Sequence, residues 1–314
     1  MPQVITPSVL SAIFQSFSFI FNDALKGVEP QYQRIAMDVP SSASAENYGW
    51  LGQMPRIREW VGDRVVEALN AYGYQIVNKT FESTIAVKRE QIEDDVYGLF
   101  RPMFAEMGRS VALFPDELVF PLLTNGWTGA CYDGQRFFDA HPVLDANGNT
   151  AFVSNFTTGS GPAPWFLLDT SRAIKPLIHQ KRRPFEFVAK TSAQTSDRVF
   201  ERNEFIYGVD GRSNAGYGLW QLAYGSTAPL TRASFRSAYQ FMINLKGDRG
   251  RPLGLKPNLL LVGPTLEFTA RDLIDSAFLP VDGAPGEPAL TGQVGLIANT
   301  DKGLVEVLMS PWLV

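Results

Sequence analysis

Segments with helical spacing and segments with strand spacing follow one another along these 314 residues in no regular order. That irregularity constrains the fold more than any single motif. A doubly wound sheet or a (β/α) barrel needs repeated strand–helix–strand units, and none recurs here. The expected class is therefore α+β, with no internal repeat.

The individual segments can be read from their periods. Leu10, Phe14, Phe17, Phe21 and Leu25 recur at helical spacing. They predict an amphipathic helix that starts after Pro7-Ser8, ends near Gly27, and needs something to dock on. Residues 38–47 are small and polar and read as a loop or extended link. Residues 48–88 mix Tyr, Trp and Gly with β-rich runs and predict a long β excursion, a kind of segment that usually binds something. Residues 92–125 predict a helical region with Ile92, Val96, Leu99, Phe100, Met103, Met107 and Val111 on one face. Pro102 should bend or restart it, Pro115-Asp116-Glu117 should begin a second helix, and Asn125-Gly126 should stop it.

Residues 129–164 read as loop-rich. Strand candidates follow at 165–169, 185–190, 199–209 and 217–224. Thr231 can cap a helix whose Phe235, Ala238, Tyr239 and Met242 face one way. The run Leu259-Leu-Leu-Val262 reads as a buried strand that leads through Gly263-Pro264 into a helix with Leu266, Ala270, Leu273 and Ile274 on one side. Residues around 283–286 read as a loop, and 305–314 as a closing strand.

Composition excludes several classes. Hydrophobic residues make up 45% and charged residues 19%, which is ordinary for a globular chain. Aromatics reach 12%, with 22 Phe, which suits extensive buried contacts within or between chains. The formal net charge of −4 argues against tight gripping of a nucleic-acid backbone, which needs clustered Lys and Arg. One cysteine, Cys131, allows no intrachain disulfide and suits a reducing cytoplasm. Two histidines, His141 and His179, make a His/Cys zinc site improbable. The apolar stretch near the N-terminus has no preceding Lys or Arg and is broken by Gln15, Ser16 and Ser18, so it does not read as a signal peptide. No window approaches the roughly 20 apolar residues of a membrane span.

Chemistry-bearing constellations are sparse. Cys131, Asp133, Asp139 and His141 lie close in sequence, but no motif spacing supports a metal site or a thiol nucleophile. A turn with a capping Asp at Asp133-Gly134 and a buried Cys131 is the expected reading. Gly208-Val-Asp-Gly-Arg-Ser-Asn-Ala-Gly216 is glycine-rich without the spacing of a phosphate or dinucleotide loop, so a turn between strands is expected. Lys181-Arg182-Arg183 reads as a solvated strand edge. Asn78-Lys79 gives no ground for an isopeptide cross-link. No catalytic, cofactor or metal residue is assigned, and an assembly role is favoured over catalysis.

The joint order of short segments goes further. Asn47-Tyr-Gly-Trp-Leu-Gly52, Glu59-Trp-Val-Gly62, Asn78-Lys-Thr-Phe-Glu82, Glu106-Met-Gly-Arg109, Pro115-Asp-Glu-Leu118 and Cys131-Tyr-Asp-Gly-Gln135 follow one another closely. Trp165-Phe-Leu-Leu-Asp-Thr-Ser-Arg172, Trp220-Gln-Leu-Ala-Tyr224, Arg251-Pro-Leu-Gly254 and Ser310-Pro-Trp-Leu313 continue the series. Over nearly its whole length the chain resembles the major head subunit family of Mu-like phages and prophages, often called gpT.

The resemblance implies a structural protein with the Hong Kong 97-type capsid fold, not an enzyme. It divides the chain into an N-terminal arm and lead-in (1–45), an E-loop with its return strand (46–88), a peripheral domain with a spine helix (89–150), and an axial domain plus remaining peripheral strands (151–314). It implies homo-oligomers, pentamers and hexamers closing into an icosahedral head made in the bacterial cytoplasm. Scaffold, portal and decoration proteins would be partners, and packaged double-stranded DNA would be contacted non-specifically by a mildly acidic wall. Phe14, Phe17, Phe21, Trp50, Trp60, Tyr72 and Tyr74 are the expected subunit-interface residues, because buried aromatics dominate such contacts. The competing readings are an encapsulin-like cellular shell, a hydrolase using Cys131 and His141, and a monomeric binding module.

Overall fold

A computed structural model describes residues 6–49, 51, 73–94, 98–194, 196–280 and 296–313. The chain opens with helix α1 (Pro7–Lys26), capped by the Thr6 hydroxyl and closed at Gly27. The short strands β1 (Ala36–Pro40), β2 (Ala45–Asn47) and β3 (Gln75–Val77) precede the ten-residue strand β4 (Lys79–Lys88). Helix α2 (Arg89–Glu93) leads to the long helix α3 (Arg101–Thr124). Then come β5 (Ala140–Leu144), β6 (Thr150–Ser154), β7 (Phe156–Thr157), β8 (Trp165–Leu168) and the 14-residue β9 (Leu177–Lys190). Helix α4 (Asp197–Arg202) joins β9 to β10 (Glu204–Tyr217). The remainder is β11 (Ala223–Ser226), α5 (Arg232–Ile243), β12 (Leu259–Val262), α6 (Glu267–Ile274), β13 (Phe278–Pro280), β14 (Leu296–Ala298) and β15 (Glu306–Met309).

Two sheets organise these elements. In the first, ordered β1-β9-β10-β4, β1 runs parallel to β9 and the other pairings are antiparallel. One face, carrying Ile85, Val87, Phe187, Phe205, Tyr207 and Val209, lies under α1 and α3. The second sheet is ordered β15-β12-β8-β11-β7. Every residue of β8, β11 and β12 is buried, which is why Leu259–Val262 reads as a continuous apolar run without alternation. Trp165 and Leu167 face α5 and α6, whereas Phe166 and Leu168 face Val119, Phe120 and Leu123 of α3. α3 therefore contributes to both cores. The chain reaches the first sheet through β4, β9 and β10 but interleaves β8, so residues after 150 belong to both sheets and not to one block.

Several expectations change. α3 begins at Arg101 with Pro102 in its first turn and runs uninterrupted through Pro115 and Pro121 to Asn125. Pro115 starts no new helix, because Asp116 does not cap α3. Its carboxylate instead accepts the backbone N–H of Tyr32 at 2.7 Å and of Gln31 at 3.1 Å. Burial carries the Asp116 carboxyl above its ordinary range despite those two donors. The buried face is Phe104, Met107, Gly108, Ala112, Val119, Phe120 and Leu123, while Leu99 and Met103 are exposed. Val96 lies outside the described residues, as do 50, 52–72 in the β excursion and the loop at 283–286.

Residues 197–202 form α4, not a strand, ended by Asn203 in the left-handed region at φ 53°. The glycine-rich run 208–216 is the middle of β10, not a turn. A Cβ at Gly211 would meet the Phe185 ring at 2.8 Å, and one at Gly216 would meet Ile76 at 2.5 Å. Glycine there allows close approach. Lys181 lies in an inner strand, yet β1 ends at the Pro40↔Lys181 pair, so β9 has an open edge from Arg182 onward. The loop-rich stretch contains the β5–β6 hairpin, turned at Gly148 with φ +87°. By length and composition alone, residues 8–26 of α1 could cross a membrane, contrary to expectation, but the helix packs Phe17 and Phe21 on this chain.

α1 crosses α3 at Gly108, where a Cβ would fall 2.4 Å from the Phe21 carbonyl oxygen. On an exposed helix Gly→Ala stabilises by about 1 kcal/mol. Here the sign reverses: Gly108→Ala forces the two backbones apart and is expected to cost about 1–3 kcal/mol. A lower urea midpoint at unchanged m would show it.

Candidate functional site

The seven aromatic residues expected at subunit interfaces fall into three groups. Phe17 and Phe21 are buried inside this chain, Phe17 stacked on Phe104 at 4.1 Å and Phe21 on Phe187 at 5.3 Å. Tyr74 is also an internal residue: its hydroxyl accepts the N–H of Tyr217 at 2.7 Å, and burial pushes its ionisation up. Phe17 and Phe21 pack within this chain, where the apolar stripe of α1 finds its cover on α3 and the first sheet, and the partly buried Tyr74 bonds to β10. Phe14 is half-buried and stacks on Phe187 at 5.5 Å. Trp50, Trp60 and Tyr72 lie outside the described residues.

The large apolar side chains left on the surface are different ones. Phe19 on α1 is 72% exposed, Phe152 on β6 66%, Phe200 on α4 77% and Phe268 on α6 77%. Each lies off the apolar side of its own element, and single surface aromatics of this kind are ordinary in themselves. A groove of about 640 Å³ also opens between the β5–β6 hairpin and the end of α5, lined by Val143, Val153, Phe241 and Leu245 among others.

The sequence-adjacent Cys131, Asp133, Asp139 and His141 do not converge on a common point. His141 is fully buried and lies flat on Trp220 at 4.0 Å, with Nδ1 2.6 Å from Asp133 Oδ2 and Nε2 3.2 Å from the Phe137 carbonyl. Asp133 also accepts the Gln135 N–H at 3.1 Å, forming a side-chain-capped turn around Gly134. The Cys131 thiol donates towards the Gly218 carbonyl at 3.8 Å, and burial with Asp133 nearby pushes its ionisation up, the reverse of a nucleophilic cysteine. Asp139 accepts the adjacent Ala140 N–H at 2.8 Å. No cluster of three or more His, Cys, Asp or Glu is poised for a metal among the described residues.

What sequence reading missed is the polar hub beneath this region. Asn155, 1% exposed, donates through Nδ2 to the carbonyls of Phe137, Ala223 and Trp220 at 2.9, 3.2 and 3.3 Å, and accepts the Asp139 N–H at 3.2 Å. It ties the 137–139 turn to the approach of β11. Asp301, also buried, takes charge-assisted bonds from Arg232 at 2.7 Å and Arg236 at 2.8 Å and so anchors α5 to the turn before β15. The polar groups that converge here hold backbone in place; they do not surround a reacting atom.

Comparison with known proteins supplies the missing context. The family described as "Mu-like prophage major head subunit gpT" matches residues 10–313. The major capsid protein of Escherichia phage Mu is 44% identical over 316 residues, 99% of this chain and 100% of that one. The Mu-like prophage FluMu major head subunit of Haemophilus influenzae is 41% identical over 89% of this chain and 92% of its own length. Among solved structures, a chain of the bacteriophage JBD30 procapsid superposes with a TM-score of 0.80 at 43% identity, covering 98% of this chain and all of that one. A chain of the JBD30 capsid does so at 0.73 and 35%, covering 99% of this chain and all of that one. An α+β subunit with no convergent reactive groups among the described residues, alike over nearly its whole length to phage head proteins, belongs to the Mu-like phage major head subunits, the gpT family.

Proposed function

We propose that this major capsid protein closes into an icosahedral head by forming rings of five and six copies, with the arm and the excursion at 46–88 reaching onto neighbours. The observation that carries this reading is the full-length likeness to the JBD30 procapsid subunit. Membership of a head-subunit family makes the chain a structural protein and not an enzyme, and its place the phage capsid.

In this reading 1–45 is arm and lead-in, 46–88 the E-loop with its return strand, 89–150 the peripheral domain with α3 as spine, and 151–314 the axial domain plus further peripheral strands. The first sheet with α1 and α3 would be peripheral. The second sheet with α5 and α6 would be axial. Trp50, Trp60 and Tyr72 remain the favoured anchors, with Phe14 at the edge of its own core. Ring-closing contacts between different surface patches of identical copies suit the scattered exposed aromatics. Scaffold and portal proteins would guide assembly, and packaged double-stranded DNA would meet the inner wall without base-specific contacts. A JBD30 capsid has been solved decorated with minor capsid protein trimers, and a decoration partner is proposed here on that likeness.

Negative-stain electron microscopy with light scattering tests the proposal on purified full-length protein, alone and co-expressed with its scaffold. Closed shells, or rings of five and six, are expected. A strict monomer in both preparations would overturn it.

A further inference from the structure

His179 is the third residue of β9, paired with Asp38 of β1 on one side and with Ala215 of β10 on the other, and is 2% exposed. Its Nδ1 lies 2.9 Å from Asp38 Oδ1, so Nδ1 carries the proton and donates. Its Nε2 is buried with no hydrogen-bond partner among the described residues. The edge of the Tyr32 ring packs on the imidazole at 4.7 Å. Neutral imidazole suits this site: one nitrogen donates and the other keeps a buried lone pair.

We propose that His179 is an acid-sensitive latch that holds the lead-in of residues 31–40, and with it the approach to α1, against β9. A second proton would place an N–H on Nε2, where no acceptor stands among the described residues, and a buried unpaired donor is costly. The opposing effect is attraction to Asp38. That carboxylate already accepts from Lys181 Nζ at 2.8 Å and from the Tyr32 hydroxyl at 3.1 Å, with Gln33 at 3.5 Å. Lys181 and, farther out, Lys175 add positive charge around the site, while Arg34 is paired with Glu306 of β15. Asp116 faces the backbone of Gln31 and Tyr32 and not the ring, and β10 brings no charged side chain at Ala215.

Desolvation therefore outweighs Asp38 and holds His179 below its ordinary value of 6.5. Asp38 shows the converse balance: burial raises it, but Lys181 and His179 together bring it down. For a histidine lowered on folding, the unfolded or opened state binds the proton first. Stability from His179 is full above about pH 6.5 and falls as pH drops below it, whereas the Asp38 contribution is lost only below its own ordinary range near 3.8. Because β1 is a five-residue edge strand, the proton is taken up by local opening of the lead-in before global unfolding.

Hydrogen exchange read by mass spectrometry on the full-length protein tests this, with rates corrected for intrinsic pH dependence. Peptides covering residues 31–40 should exchange faster at pH 5.5 than at pH 7.5, by roughly tenfold for each unit of depression that the interval spans. His179→Asn keeps a donor near the Nδ1 position but cannot titrate, and its peptides should show no such change. If wild type and H179N respond alike to pH, the latch is wrong. Should H179N fail to fold, histidine C2–H exchange on the wild type reads each of the two histidines in its own peptide. The His179 titration must coincide with opening of 31–40, and a midpoint that does not coincide overturns the proposal.

Discussion

Phe104→Ala is expected to cost about 3–5 kcal/mol, a large share of the roughly 5–15 kcal/mol that holds an ordinary domain together. Phe104 is completely buried where α1, α3 and the first sheet meet. Its ring stacks on Phe17 at 4.1 Å and meets Tyr207 edge-on at 5.3 Å and Phe187 at 5.8 Å. Truncation removes one ring from a cluster of four and leaves a cavity that the helix backbone is too stiff to close. Phe104→Leu fills most of that space and should cost under about 1.5 kcal/mol. Urea denaturation of the unassembled chain separates the two. A further consequence distinguishes this contact from generic core loss. α1 holds on through Phe17 and Phe21, so proteolysis in the α1 connection should accelerate at urea concentrations below the global midpoint. Equal costs for alanine and leucine would show that cavity volume contributes little and that the loss comes from the ring contacts.

The second large effect falls on Asn155. Asn155→Leu keeps the approximate volume but strands the Asp139 N–H and at least one of three carbonyls, at about 1–3 kcal/mol for each buried group left unpaired. A loss of about 2–6 kcal/mol is expected from those two groups. Asn155→Asp should be worse near neutral pH, because it keeps the acceptor for Asp139 but turns a carboxylate oxygen towards three carbonyl oxygens. Acidification should partly rescue N155D, since a protonated carboxyl can donate, and should not rescue N155L. Thermal melts of the three proteins at pH 7.5 and 4.5 give the ordering. N155D as stable as wild type at neutral pH would remove Asn155 from its role as a donor hub.

The elements that were legible beforehand share one property: their signal is local. The Leu10–Leu25 spacing, the Thr231 cap and the all-apolar Leu259–Val262 run each express a geometry closed within a few residues. Their helix and strand assignments needed nothing from elsewhere in the chain. The joint order of short motifs was legible for a different reason: each is weak alone, but their order along the chain is specific, and it led to the family.

The sequence by itself therefore determined the α+β class, the faces of α1, α5 and α6, and the absence of any motif spacing for catalysis. It could not say what would cover an apolar face. Phe17 and Phe21 were equally good anchors for a neighbour or for Phe104 and Phe187, and only the tertiary structure chose the second. It also could not show that Pro115 would pass through a continuous helix, because Asp116 spends its carboxylate on Tyr32, 84 positions earlier. The same holds for Gly211 lying under Phe185, for the Asn155 hub and for His179 beside Asp38. Periodicity records which side of an element avoids water. Which distant group fills that side, and which buried donor meets which acceptor, is decided only when the chain closes on itself.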